Sequence, residues 1–162
     1  MSKNNQDDRH SRAGDRLKTI GWREIIALPQ LKIDRVKAKI DTGARSSALH
    51  AFEIEEFTNN GKLMIRFKVH PRQHNSKITA VSQAELLEYR EVKNSGGKIE
   101  LRPVIKTEVM IEKQKWFIDL TLTNRKLMGF RMLLGREAVR NKFLVDPARS
   151  YLQSEGKERN NK

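Results

Sequence analysis

One short stretch of the chain combines a group suited to acid–base chemistry with the local means to hold it: Asp41-Thr42-Gly43-Ala44. It follows Val36-Lys37-Ala38-Lys39-Ile40, where apolar and charged residues alternate with the period of a strand that has one wet face. Asp41 is therefore expected at a strand end, facing a cavity. Thr42 can donate and accept a hydrogen bond at once, and Gly43 leaves room for a second backbone to come close. A plainer reading of the same residues is an Asx turn, in which the Asp41 carboxylate only bonds its own backbone two residues on. Far downstream, Met132-Leu133-Leu134-Gly135-Arg136-Glu137 is an apolar run that ends at glycine and enters a predicted helix.

Other chemistries find less support. The chain has no cysteine, which excludes disulfides and thiolate metal sites. Of the histidines His10, His50, His70 and His74, the last two have the i, i+4 spacing of helical ligands, but Pro71 and the strand-rich surroundings oppose a helix there. No His-Glu-x-x-His supplies two ligands and a base. No Gly-x-x-x-x-Gly-Lys loop is present to cradle a nucleotide. No metal ligand is assigned and no cofactor is expected.

The elements that must position Asp41 read mostly as strands. Ile20 to Leu28 ends at Pro29, Val36 to Ile40 alternates, and Lys62 to Val69 closes at His70-Pro71. Leu86 to Val92 and Ile99 to Thr107 flank Asn94-Ser95-Gly96-Gly97, a hairpin composition. Glu108 to Ile111 and Trp116 to Leu122 form a further pair around Glu112-Lys113-Gln114-Lys115, and Arg136 to Asn141 reads as a short helix. Many short strands with one short C-terminal helix predict a mainly β fold, a small closed or partly open barrel. Residues 1–18 are expected as a disordered leader, 19–153 as the folded domain and 154–162 as a disordered basic tail. Lys plus Arg number 33 against 20 Asp plus Glu, a formal charge of +13. That field attracts polyanions such as RNA, an acidic membrane surface or an acidic peptide, or else belongs to a solvated basic surface. With no signal-like leader and no run of ~20 apolar residues, a cytoplasmic protein without membrane attachment is expected.

Ile40-Asp41-Thr42-Gly43-Ala44, taken with Leu133-Leu134-Gly135-Arg136, resembles the retropepsin-like aspartic peptidases. Lys39 to Ala51 as a whole, with Arg102-Pro103-Val104-Ile105, Leu122-Thr123-Asn124-Arg125 and Val145-Asp146-Pro147, is similar to one bacterial branch of that family. This branch is often found beside the ligase that adds glutamates to a ribosomal protein, and it carries the label of an ATP-dependent zinc protease. The resemblance covers about Ile20 to Leu152. It implies that Asp41, Thr42 and Gly43 form the catalytic motif and that Ala44, Ser47, Leu134 and Gly135 support its loop. Two carboxylates must then share one water and one proton, since like charges so close cannot both ionise cheaply. The chain has one Asp-Thr-Gly; Asp34, Asp119 and Asp146 lack the following Thr-Gly or Ser-Gly. The resemblance therefore implies a homodimer, with Asp41 facing its own copy on a two-fold axis and Thr42 bonding across to the partner's loop.

The chain also departs from the many viral members that place an acid directly after the Ala of the motif. Arg45 stands there instead. The inverted charge suits an acidic or glutamate-rich peptide or protein substrate, with Arg45, Arg125 and Arg136 as the substrate-binding residues. Asn94, Ser95, Gly96 and Gly97 are the candidate flap. The expected function is thus an aspartic endopeptidase. A non-catalytic basic module holding RNA or a ribosome-associated partner stands as the alternative, though nucleic acid is not favoured with aromatic residues at only 6%. A zinc peptidase is the weaker alternative.

Overall fold

A computed structural model describes residues 17–72 and 77–154. His10, His74 and nearly all of the expected leader and tail lie outside the described residues. The chain forms twelve strands, a 3-10 turn at Pro29–Leu31 and one short α-helix among them. In order these are β1 (Lys18–Gly21), β2 (Arg23–Leu28), β3 (Ile33–Asp41), β4 (Ser47–His50), β5 (Phe52–Asn59) and β6 (Lys62–Val69). Then come β7 (Ala80–Glu85), β8 (Glu88–Lys93), β9 (Ile99–Ile111), β10 (Gln114–Thr123), β11 (Met132–Gly135), α1 (Arg136–Val139) and β12 (Phe143–Asp146).

Six strands follow one another around a ring in the order β10-β4-β11-β3-β2-β9, and β9 pairs back onto β10. Closure is thinnest between β2 and β9, which share only the Ala27–Met110 pair, so the barrel is partly closed. β8 extends the ring outward from β9, β5-β6-β7 form a separate sheet, and β1 pairs in parallel with β12. This is the mainly β barrel with a short C-terminal helix that strand spacing predicted.

The alternation in β3 sends Ile33, Val36, Ala38 and Ile40 into the core while Asp34, Arg35, Lys37 and Lys39 stay at or near the surface. Ile33 and Val36 both face inward because three steps along β3 oppose two along β2, from Ile26–Val36 to Leu28–Ile33. That β-bulge resets the phase of the strand. From Val36 onward the alternation is strict, which fixes the side on which Asp41 emerges.

The strand expected over Ile20 to Leu28 is two strands, broken at Trp22. The Trp22 N–H donates to the Arg149 carbonyl at 2.8 Å, and its carbonyl accepts from Ile40 N–H at 2.8 Å. The chain thus changes partner there, from β12 to β3. The two strands expected over Ile99 to Ile111 are instead the single strand β9, and the helix ends at Val139, two residues before Asn141. Neither β5 nor β7 was anticipated.

The ends of the described body are fastened through Glu24, whose side chain is fully buried. Its carboxylate accepts from the N–H groups of Gly21, Leu152, Gln153 and Ser154 and from the Ser154 hydroxyl, at 2.8–3.2 Å. Buried charge is tolerable when its lone pairs are filled in this way. Lys18 accordingly lies in β1, and Ser154 is buried. Replacing Glu24 by Ala strands these donors, so Glu24→Ala is expected to lower stability by about 3 kcal/mol in urea unfolding, whereas exposed Glu85→Ala should change it little.

Candidate active site

Asp41 is the last residue of β3, and β11 runs parallel beside it in the register Leu134–Ile40 and Gly135–Asp41. The chain turns sharply after Asp41. Its Oδ1 accepts from Gly43 N–H at 3.1 Å and from Ala44 N–H at 3.2 Å. The Asx turn considered from the sequence is therefore present, and it orients the carboxylate rather than removing it, because Asp41 still lines an open cleft of about 1160 Å³.

The loop from Thr42 to Ser46 lies directly on the start of α1. Arg136 N–H donates to the Ala44 carbonyl at 2.7 Å, and Glu137 N–H donates to the Arg45 carbonyl at 3.2 Å. The buried Ser47 hydroxyl accepts from Gly135 N–H at 3.0 Å, and Thr121 donates to the Ser47 carbonyl at 2.9 Å. A Cβ on Gly135 would stand 2.5 Å from the Ser46 carbonyl oxygen and 2.9 Å from that of Arg45. Only glycine permits that approach. Arg45 pairs with Glu137 at 2.8 Å, a side-chain clamp between the same two segments. The Arg45 hydrogen bond is the main cause that holds the Glu137 carboxyl below its ordinary value.

The residues singled out in the sequence distribute as follows. Asp41, Gly43, Ala44, Arg45, Arg125, Asn94 and Ser95 all line the one cleft. Thr42 is exposed beside it. Ser47 and Leu134 are buried behind the loop. Gly96 and Gly97 complete the hairpin turn between β8 and β9, which Asn94 organises by accepting from Gly96 N–H and Lys98 N–H. Arg136 is not on the cleft lining; its guanidinium donates to the Thr42 carbonyl at 3.4 Å.

Sequence reasoning passed over the charged residues that come to the cleft from β8, β9 and β10. Arg90 donates to Glu88 and reaches Asp119 at 3.5 Å. Burial alone would lower the Arg90 pKa, but these two carboxylates together outweigh it and raise the value. Arg102 is buried against Glu100. Lys93 and Lys126 also line the cleft. No local motif announces these residues: Arg90–Glu88 and Arg102–Glu100 are ordinary i, i+2 pairs on one strand, and the contacts that draw them to the cleft, Arg90–Asp119 and Arg125–Glu100, join residues distant in sequence.

His50 and His70 lie apart from this cleft lining. His70 stacks on Phe52 with ring centroids 4.5 Å apart. Among the described residues no three His, Asp or Glu side chains are grouped so as to hold a metal ion, and no helix is long and apolar enough to cross a membrane.

A family model described as the retropepsin-like aspartic endopeptidase RimB matches residues 19–156. The chain belongs to this RimB-like family. It is also 43% identical, over 132 residues, to a probable alpha-L-glutamate ligase of Shewanella halifaxensis (strain HAW-EB4), a match covering 82% of this chain and 29% of the ligase. A probable alpha-L-glutamate ligase of Desulfotalea psychrophila (strain LSv54 / DSM 12343) is 42% identical over 131 residues, covering 81% of this chain and 28% of the ligase. The chain thus spans less than a third of the length of these relatives. The crystal structure of Lpg0085, a protein of unknown function from Legionella pneumophila subsp. pneumophila str. Philadelphia 1, superimposes with a TM-score of 0.71 at 28% identity. That match covers 84% of this chain and 98% of the other. The RimB-like assignment and the barrel agree with the family that the Asp41 and Gly135 segments suggested.

Two outcomes follow from the geometry. Gly135→Ala forces the loop away from β11 and should cost about 3 kcal/mol in chemical denaturation. The second concerns His50, whose pKa is held below 6.5 by burial first and then by Arg131, against an opposing Asn124 backbone hydrogen bond, with His70 adding to the lowering. The unfolded chain takes up a proton before folded His50 does, so this stability is present above pH 6.5 and is lost as pH falls through the folded value. Melting temperature should therefore fall from about pH 7 to about pH 5.5 more steeply in the wild type than in His50→Gln.

Proposed function

We propose that the chain is one half of an aspartic endopeptidase, in which Asp41 of two identical subunits meets across a two-fold axis and activates a water molecule between them. The observation that carries this reading is the setting of Asp41 within a RimB-like chain. It sits at the end of β3, in register with Gly135, and opens onto the cleft. The chain offers one such aspartate, so a second copy must supply the other. Two carboxylates in contact share a proton. The ionised one takes a proton from water as it attacks the scissile carbonyl, and the protonated one donates to the carbonyl oxygen and then assists departure of the amine.

An acidic, glutamate-rich substrate is the reading favoured by the cleft cations and by the relatives named as probable alpha-L-glutamate ligases. Arg45 is already matched by Glu137, and Arg136 is turned to the Thr42 carbonyl. The cations left to meet an acidic chain are Lys93, Lys126 and Arg125, the last of which shares its partner Glu100 with Arg102.

Incubation of the purified protein with peptides of graded glutamate content tests both parts. Cleavage should rise with glutamate content and show a bell-shaped pH dependence. Asp41→Asn should reduce turnover by about 10³-fold or more while leaving the melting temperature and sedimentation behaviour nearly unchanged. Retained turnover in Asp41→Asn would overturn the peptidase reading, and equal cleavage across the panel would remove the acidic preference alone.

A further inference from the structure

Glu100 faces the cleft side of the β8–β9 hairpin, opposite Val92, yet does not itself line the cleft. Four donors converge on its carboxylate. From its own strand, Arg102 gives two hydrogen bonds at 3.2 and 3.1 Å. From the end of β10, the Thr123 hydroxyl donates at 2.6 Å. From the loop that follows, the Arg125 guanidinium approaches to 3.4 Å, and the Arg125 backbone N–H donates to the same Thr123 hydroxyl at 3.1 Å.

The two guanidinium groups are not held alike. The Arg102 side chain is 7% exposed and two-pronged on Glu100. The Arg125 side chain is 50% exposed, meets Glu100 at one longer contact and lines the cleft. A partly solvated contact of that length is weak and exchangeable, whereas the buried fork is not. One carboxylate between two arginines also leaves a positive charge unmatched.

We propose that Arg125, backed by Arg102, is a subsite for a ligand carboxylate, and that Glu100 occupies it in the free protein as an internal competitor. This rests on the acidic-substrate reading and deepens it. A glutamate side chain of the substrate displaces the outer contact to Arg125, while Arg102 and Thr123 keep Glu100 in place. When cleavage is complete, Glu100 recovers Arg125 and helps the product leave. Glu100 is thus a specificity-determining residue that sets how long an acidic ligand stays, without touching the reacting atoms.

Calorimetric titration of full-length Asp41→Asn protein with tetraglutamate and with tetraglutamine separates this from turnover. Arg125→Gln should weaken tetraglutamate binding about tenfold, the size of one charge-assisted hydrogen bond, and leave tetraglutamine unaffected. Glu100→Gln should tighten tetraglutamate about tenfold, and the gain should vanish in the Glu100→Gln/Arg125→Gln double variant. Should Glu100→Gln fail to fold because Arg102 is left unmatched, Glu100→Gln/Arg102→Leu removes both charges and should show the same tightening. In the catalytically competent protein, Glu100→Gln should lower KM and kcat together for acidic peptides. No tetraglutamate binding, or binding indifferent to Arg125 or weakened by Glu100→Gln, overturns the subsite. Cleavage that depends on Asp41 but not on Arg125 or Glu100 would leave the peptidase standing without it. The binding pattern without any cleavage would leave the subsite and overturn the peptidase.

Discussion

Where Gly135 meets the loop after Asp41, two backbones approach too closely to admit a methyl group between them. Much of the site geometry depends on that contact. The Ser47 hydroxyl, the Ala44 carbonyl and the Arg45 carbonyl each take one N–H from the Gly135 to Glu137 segment, so three successive donors at the end of β11 secure one loop. β3 and β11 run parallel with Gly135 beside Asp41. The aspartate is consequently held from its own turn by Gly43 and Ala44 and from behind by a neighbouring strand. A preorganised carboxylate is worth more to catalysis than a mobile one, because no reorganisation is needed as charge develops.

Around that fixed point the charges are arranged in interlocking pairs. Arg45 with Glu137 and Arg90 with Asp119 join segments that the barrel brings side by side, while Arg90 with Glu88 and Arg102 with Glu100 pair along a single strand. The exposed pairs among them add little stability, unlike the buried Arg102–Glu100 pair. Their effect is on which cations remain available in the cleft. Formal charge alone would count every arginine as a potential anion ligand; the pairing narrows the set to Arg125 and the two lysines, Lys93 and Lys126.

The Asp41 motif and the run that supports its loop were legible because both are local. Alternation up to Ile40 placed Asp41 at a strand end, and the run to Gly135 ended where the structure needs a residue without a side chain. β6 was legible to its boundaries for the same reason. The split at Trp22 was not, since it arises from hydrogen bonds to Arg149 and Ile40, far off in sequence or across the sheet. β5 was passed over although Asn60-Gly61 forms its two-residue turn to β6, with φ of 51° and 77° at those residues. β7, read as Ala-Val-Ser-Gln-Ala-Glu, has too few apolar residues to stand out. The ion pairs that reach across the cleft join residues 25 to 92 positions apart, and a single sequence carries no sign of which of those charges will meet; Arg90–Glu88 and Arg102–Glu100 are two positions apart on one strand.

The proposed active unit needs two aspartates from two chains, and a mixing experiment addresses that requirement directly. Wild-type and Asp41→Asn subunits would be unfolded together, refolded in graded proportions at constant total concentration and assayed on an acidic peptide. If one carboxylate from each subunit is required, activity falls as the square of the wild-type fraction. A fall in simple proportion to that fraction would mean that each chain works alone, and the shared-site account would be wrong.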